Sequence, residues 1–286
     1  MIKNVLVPYV NANTEAGPLS TALAICEQFA AQLALLIAVD VPVPMPSEWV
    51  PMAGDVYMRL REQMLASVQP LAQKMRNRFA QQSSGGPANC GVQTEVRVVE
   101  SVLLAPSPMA TMHAHYVDLI VVPSATGADA AVAHEYFVNL LIGSGRPILV
   151  VPPNYHPKAA ISRAVIAWQP SRESARAVHD ALPLLKAAKS VDILVVDPEI
   201  GEFGHGDQPG ADIAAHLAKH GLKVQVYVRP RMGHAIAASI LQHAQEVGAD
   251  LLVAGGYGHS RFREFMLGGV TRDLLRLTHL PVLFSH

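Results

Sequence analysis

The sequence predicts an α/β protein of two tandem domains, each a five-stranded parallel sheet with helices on both faces, a Rossmann-like arrangement. Three observations carry this expectation. Short apolar runs alternate with helical patterns along all 286 residues. The runs are near-continuous, as strands covered on both faces require. The order of elements in the first half returns in the second, down to short matching segments, as a duplication leaves it.

Residues 4–10 (NVLVPYV) read as a buried strand, 18–31 as a helix with Pro18 at its start, and 33–39 (LALLIAV) as a second strand. Pro42, Pro44, Pro46 and Pro51 then exclude a regular element and predict an extended loop over 42–54. A long helix follows over 55–81, ended by the turn residues of QQSSGGPANCG. Residues 92–99 alternate like a strand, 108–116 form a short helix, and 119–122 and 148–151 are the fourth and fifth strands.

The second half repeats this order. Strands are expected at 164–168, 191–196, 222–228, from Asp250 to Ala254, and at 282–285. Helices are expected from 171, over 211–221, over 233–248 and from about Val270. Asp118-Leu119-Ile120-Val121 matches Asp250-Leu251-Leu252-Val253, and Arg146-Pro147-Ile148-Leu149 matches Leu280-Pro281-Val282-Leu283. Parallel strands need crossover connections, and those are right-handed, so each βαβαβαβαβ copy should carry helices on both faces. Prolines and polar residues at 152–162 mark the boundary, giving domains 1–153 and 160–286.

Half of the residues are hydrophobic and 16% are charged, with a formal net charge of −1, so a large core is expected and no basic excess attracts nucleic acid. No apolar run approaches the ~20 residues of a spanning helix. Cys26 and Cys90 form no CxxC pair and fit two free thiols in a reducing compartment. A cytoplasmic protein without membrane or nucleic-acid partners is the expectation.

The candidate site lies between Asp250 and Pro281. In doubly wound sheets ligands bind beyond the carboxyl ends of strands where strand order reverses. That crevice should be flanked by Ala167, Trp168 and Gln169 on one side and Ala254 and Gly255 on the other. Gly255, Gly256 and Gly258, then Gly268 and Gly269, let backbone amides approach an anion. A helix beginning near Val270 would aim its free N–H groups at the same place, with the Thr271 hydroxyl as a further donor. A glycine-rich surface turn before an ordinary helix is the alternative. No GxxxxGK[ST] loop is present, and Gly256-Tyr257-Gly258 follows the fourth strand without the third glycine of a dinucleotide fingerprint.

The spacing Gly255-x2-Gly258-x9-Gly268, followed by Gly269-Val270-Thr271, resembles the universal stress protein family, whose ATP-binding members carry Gly-x2-Gly-x9-Gly-Ser/Thr here. The resemblance spans nearly the whole chain as two tandem domains. It implies an adenine nucleotide, ATP or a relative, with or without Mg2+, held in the C-terminal domain. Gly255, Gly258, Gly268, Gly269, Val270 and Thr271 would wrap phosphates and ribose, with His259 beside them. Gln169, after Ala167 and Trp168, takes the place of the family's Asp toward the adenosine, and Val196 would flank the adenine. Gly269 stands where the family has Ser or Thr. The first copy keeps only Gly127, Gly143 and Gly145, with Val10 at the Asp position, so no nucleotide is expected there. The resemblance further implies that 148–151 and 282–285 pair, making an intramolecular pseudo-dimer, and that two chains can pair again.

Other residues tempt. His216 and His220 stand four apart on a helix, yet no third metal ligand is evident, and solvated histidines are the simpler reading. His205 in its glycine-rich loop reads the same way. Arg261 and Arg272 suit phosphate or solvent equally, and Trp168 suits a base or simple packing. No GxSxG elbow exists and no catalytic group can be assigned. The function expected is a stress-response protein in which nucleotide occupancy alters shape or partnership with an unnamed protein. A slow ATPase or nucleotide-dependent transferase, and a purely structural module that binds no nucleotide, are the alternatives.

Overall fold

The computed structural model describes residues 1–41, 54–84, 91–102, 104–198, 201, 207–231, 233, 235–257 and 269–286. The first half runs β1 (Asn4–Pro8), α1 (Gly17–Phe29), β2 (Gln32–Asp40), α2 (Gly54–Ser84), β3 (Thr94–Ser101), α3 (Pro106–Ala114), β4 (Leu119–Pro123), α4 (Ala130–Gly143) and β5 (Ile148–Val151). The second half runs β6 (Arg163–Ala167), α5 (Arg172–Ala187), β7 (Ser190–Val196), α6 (Ala211–Lys219), β8 (Val224–Arg229), α7 (Ile236–Glu246), β9 (Leu251–Gly255), α8 (Gly269–Leu277) and β10 (Val282–Ser285). β1 stops at Pro8 rather than Val10 because a 3-10 turn over Ala12–Glu15, capped by the Asn11 side chain, follows it. The proline-rich stretch 42–53 and Cys90 lie outside the described residues.

The ten strands among the described residues join one sheet in the order β3-β2-β1-β4-β5-β10-β9-β6-β7-β8. Within each half every neighbouring pair is parallel, and α4 and α8 fill the crossovers that β4–β5 and β9–β10 pairing demand. The halves meet where β5 and β10 pair antiparallel, Leu149 opposite Leu283. Strand order reverses twice, between β1 and β4 and between β6 and β9.

Period-two alternation assigns the strand side chains to two cores, one per face. One gathers Val5, Leu33, Val121, Leu149, Val253 and Leu283 with α1 and α5 residues such as Leu19 and Val178. The other gathers Leu6, Ile120, Val150, Leu252 and Phe284 with Phe137 of α4, Ile240 of α7 and Leu274 of α8. Both cores cross the β5–β10 seam, so the halves share their interior. Cys26 is a buried free thiol in the first core, its pKa pushed up to about 12 by burial and by the Glu27 charge.

The repeated aspartates have a structural reason. Asp118 Oδ2 accepts from the N–H groups of Lys3 and Asn4 at 2.7 and 3.0 Å. Asp250 Oδ2 does the same for Ser162 and Arg163 at 2.7 and 3.2 Å. Each carboxylate therefore satisfies the leading amides of its half's first strand, which no neighbouring strand reaches.

Candidate functional site

The crevice expected in the second half would lie between the carboxyl ends of β6, β7 and β9 and the first described turn of α8. Ala167 sits in register between Leu194 of β7 and Ala254 of β9. The Trp168 N–H donates to the Leu194 carbonyl at 2.9 Å, holding the chain in strand-like geometry one residue past β6. Trp168 is half-buried and packs on the first core, while Gln169 is exposed. Val196 is half-buried against the second core at the end of β7.

The start of α5 closes the floor. Ser171 caps it, its hydroxyl accepting from the Ser174 N–H at 3.2 Å. Gly255 lies directly against this first turn: a Cβ there would stand 2.7 Å from Ser174 N and 2.9 Å from the Glu173 carbonyl carbon. Gly256 lies against α4 of the other half, where a Cβ would stand 2.6 Å from Leu141 Cδ2. These two glycines thus admit protein neighbours. Gly269 is different, because a Cβ built there meets nothing within 4 Å among the described residues.

Tyr257 ends the described part of the turn. Its φ is +52°, its N–H donates to the Thr271 hydroxyl at 3.2 Å, and its ring lies 6.1 Å from that of Phe137. Its hydroxyl and His134 Nε2 are 3.3 Å apart, and burial pushes the phenol up to about 12, so it stays protonated. Burial, then the Arg272 charge, lowers the His134 pKa. Thr271 is buried, and its oxygen serves as the acceptor that ties β9 to α8. The hydroxyl hydrogen remains available to a second partner.

Among the described residues, three that are not glycine adopt positive φ: Ala30, Asp197 and Tyr257. Ala30 ends α1 in an ordinary left-handed cap. Asp197 and Tyr257 stand one and two residues past β7 and β9, on the rim of the crevice. Backbone held in such regions concentrates at ligand clamps and costs about 1–3 kcal/mol per residue. Asp197 also pairs with Arg231 at 3.3 Å. The sequence pattern gave no sign of Asp197, Tyr257 or His134; a polar residue directly after a buried strand is the one cue that points to Asp197.

Of the expected site residues, Ala167, Trp168, Gln169, Val196, Ala254, Gly255, Gly269, Val270 and Thr271 sit at these strand ends and at the start of α8. Gly258, His259 and Gly268 lie outside the described residues. In the first half, Val10 packs half-buried on the second core, Gly127 and Gly145 serve turns at φ +76° and +65°, and Gly143 faces Thr111 Cγ2. Among the described residues no helix is long and apolar enough to cross a membrane.

The universal stress protein family model matches residues 160–286, the half that keeps the glycine spacing. A curated universal stress protein of Synechocystis sp. is 28% identical over 141 residues, 48% of this chain and 46% of its own length. The chain thus spans about half the length of that curated relative. A solved universal stress protein from Archaeoglobus fulgidus superimposes with a TM-score of 0.63 at 15% identity, covering 99% of this chain and 95% of its own. A functionally unknown protein from Pseudomonas aeruginosa gives 0.53 at 15%, covering 99% and 92%. At such identity these structures speak for the fold alone.

Proposed function

Because the chain belongs to the universal stress protein family, through residues 160–286, and so to a family of stress-response proteins, we propose that its second half binds an adenine nucleotide. The observation that carries this reading is the strand-order reversal between β6 and β9, where the start of α8 and two left-handed residues converge on one rim. A helix start offers unpaired N–H groups and a positive dipole end to phosphate. Gly269 leaves that start open, while Trp168 and Val196 supply apolar surface at the strand ends where a base would lie. Ala254, Gly255, Val270 and Thr271, with Gly258, His259 and Gly268, complete the residues assigned to the nucleotide.

Occupancy then acts on shape or partnership, which requires that the nucleotide prefer one conformation over another. Mg2+ would accompany the phosphates without a dedicated protein cage. No residue is assigned to activate water, so hydrolysis is not part of the proposal. The structural-module reading is favoured by one specific observation, that Gly255 and Gly256 are each explained by a protein neighbour.

The experiment is a calorimetric titration of ATP into wild type and Gly269→Asp, with mass spectrometry of anything retained on the denatured protein. A carboxylate beside polyphosphate costs several kcal/mol, so affinity should fall roughly a hundredfold. The same carboxylate at a helix start should leave stability unchanged or raise it by about 0.3–1 kcal/mol. Absence of heat with wild type, with no retained nucleotide, would sink the reading in favour of the structural module.

A further inference from the structure

The fold brings a third histidine to His216 of α6 and His220, the residue that caps its C-terminal end. The ring of His179, on α5, lies with its centroid 5.5 Å from that of His216 and 6.3 Å from that of His220. The His216 and His220 centroids are 4.8 Å apart. We propose that His179, His216 and His220 form a binding site for one divalent transition metal of the zinc class. This inference stands apart from the nucleotide reading, since it uses none of the same residues.

The separations fit the chemistry. Three imidazoles bound through one nitrogen each at about 2.0–2.1 Å, in tetrahedral directions, hold their ring centroids roughly 5 Å apart. Among the described residues, no three His, Cys, Asp or Glu side chains surround a single point in this conformation. Closing the triad therefore requires the rings to turn about their side-chain torsions. His179 and His216 are exposed and make no hydrogen bond to resist that turn among the described residues. The backbone beneath needs no movement: Val178 and Leu217, the residues beside His179 and His216, are both buried in the first core. A site whose ligands stand on two helices fixed by packing is pre-organised at the level of Cα positions.

Three imidazoles without a thiolate or a carboxylate suit Zn2+, Cu2+, Ni2+ and Co2+ rather than Mg2+ or Ca2+. The fourth tetrahedral position is left to water. α6 rests on the sheet through one buried side chain, Leu217, so a metal shared with α5 would add a second tie to that packing contact.

The test is calorimetric titration of Zn2+ at pH 7.5, paired with Co2+ and its visible absorption, on wild type and on His179→Gln, His216→Gln and His220→Gln. One metal per chain is expected, with the absorption intensity of four-coordinate Co2+ and a raised melting temperature. Loss of an outer-shell partner alone weakens metal sites about 10–100-fold, so each substitution should weaken binding at least that much. Melting curves without added metal should coincide for wild type, His179→Gln and His216→Gln, because those two rings are exposed. His179→Gln is the discriminating variant: if it binds Zn2+ as wild type does, the triad is wrong and only a helical pair or another histidine is involved. No uptake by wild type at tens of micromolar Zn2+ would equally overturn it.

Discussion

The N–H of Tyr257 donates to the hydroxyl of Thr271 at 3.2 Å, fastening the turn after β9 to the first turn of α8. The bond joins a bulky residue held at left-handed φ just past β9 to a buried oxygen in the first described turn of α8. Thr271→Val keeps the shape and removes the acceptor, leaving the Tyr257 N–H without this partner at a cost of about 1–3 kcal/mol. Thr271→Ser keeps the acceptor and loses about 0.8 kcal/mol for one methyl. Urea denaturation should therefore rank wild type above Ser above Val, and a Val variant as stable as Ser would show that the bond contributes nothing.

The two glycines after β9 should respond unequally to alanine. At Gly255 the new methyl meets backbone atoms of α5's first turn, which cannot shift without disturbing the Ser171 cap. Overpacking of this kind costs about 1–3 kcal/mol. At Gly256 the methyl meets the far end of Leu141, which can rotate away. Thermal melts should show Gly255→Ala as the more damaging change, and the reverse order would mean that the α5 contact is loose.

Much of the fold could be read from the chain because its strands are near-continuous apolar runs and its helices carry start signals such as Pro18 and Ser171. The pairing of β5 with β10 was legible only through the family resemblance, since nothing in either strand's composition names its neighbour. At the site, glycine is ambiguous by nature: it looks the same in sequence whether a ligand, a helix or nothing approaches. The structure separates the cases, with Gly255 against Ser174, Gly256 against Leu141 and Gly269 meeting nothing among the described residues. His216 and His220 were visible as a pair through helical spacing, but His179 lies far along the chain and only the α5–α6 arrangement brings it near. Asp192 stands out as a charge inside an apolar strand, yet its neighbour His243 could not be inferred.

Asp250 links stability to acid. Burial alone would raise its pKa, but the Lys158 ammonium and the N–H groups of Ser162 and Arg163 outweigh burial and hold it below the usual 3.8. The unfolded chain thus takes up this proton first as pH falls, so the contribution is present above pH 3.8 and is lost on acidification below it. Asp250→Asn should cost about 1–3 kcal/mol at pH 7 and flatten the stability profile at the acid end. An unchanged acid limb in guanidinium titrations would assign that limb to other carboxylates.

The buried pair of Asp192 and His243 should act in the opposite sense at its two members. His243 Nε2 lies 3.8 Å from Asp192 Oδ2, and neither imidazole nitrogen nor that oxygen has a hydrogen-bond partner among the described residues. Arg163, Arg229 and Glu246 are the other charges acting on the histidine, and the Tyr227 ring packs 4.8 Å from it. Burial, reinforced by Arg229, lowers the His243 pKa, whereas burial raises that of Asp192. The unfolded chain therefore binds the histidine's proton while the folded chain does not, and stability falls as pH drops below about 6.5. Asp192 works the other way, becoming a cost as pH rises above 3.8 and its carboxyl ionises in the core. His243→Leu removes the first effect without leaving a new unpaired donor, since both partners were already unmet. Urea midpoints measured at pH 7.5 and 5.5 should show a smaller acid loss in His243→Leu than in wild type. Equal losses would move the acid sensitivity to His113 and His134, whose pKa values are also lowered by burial.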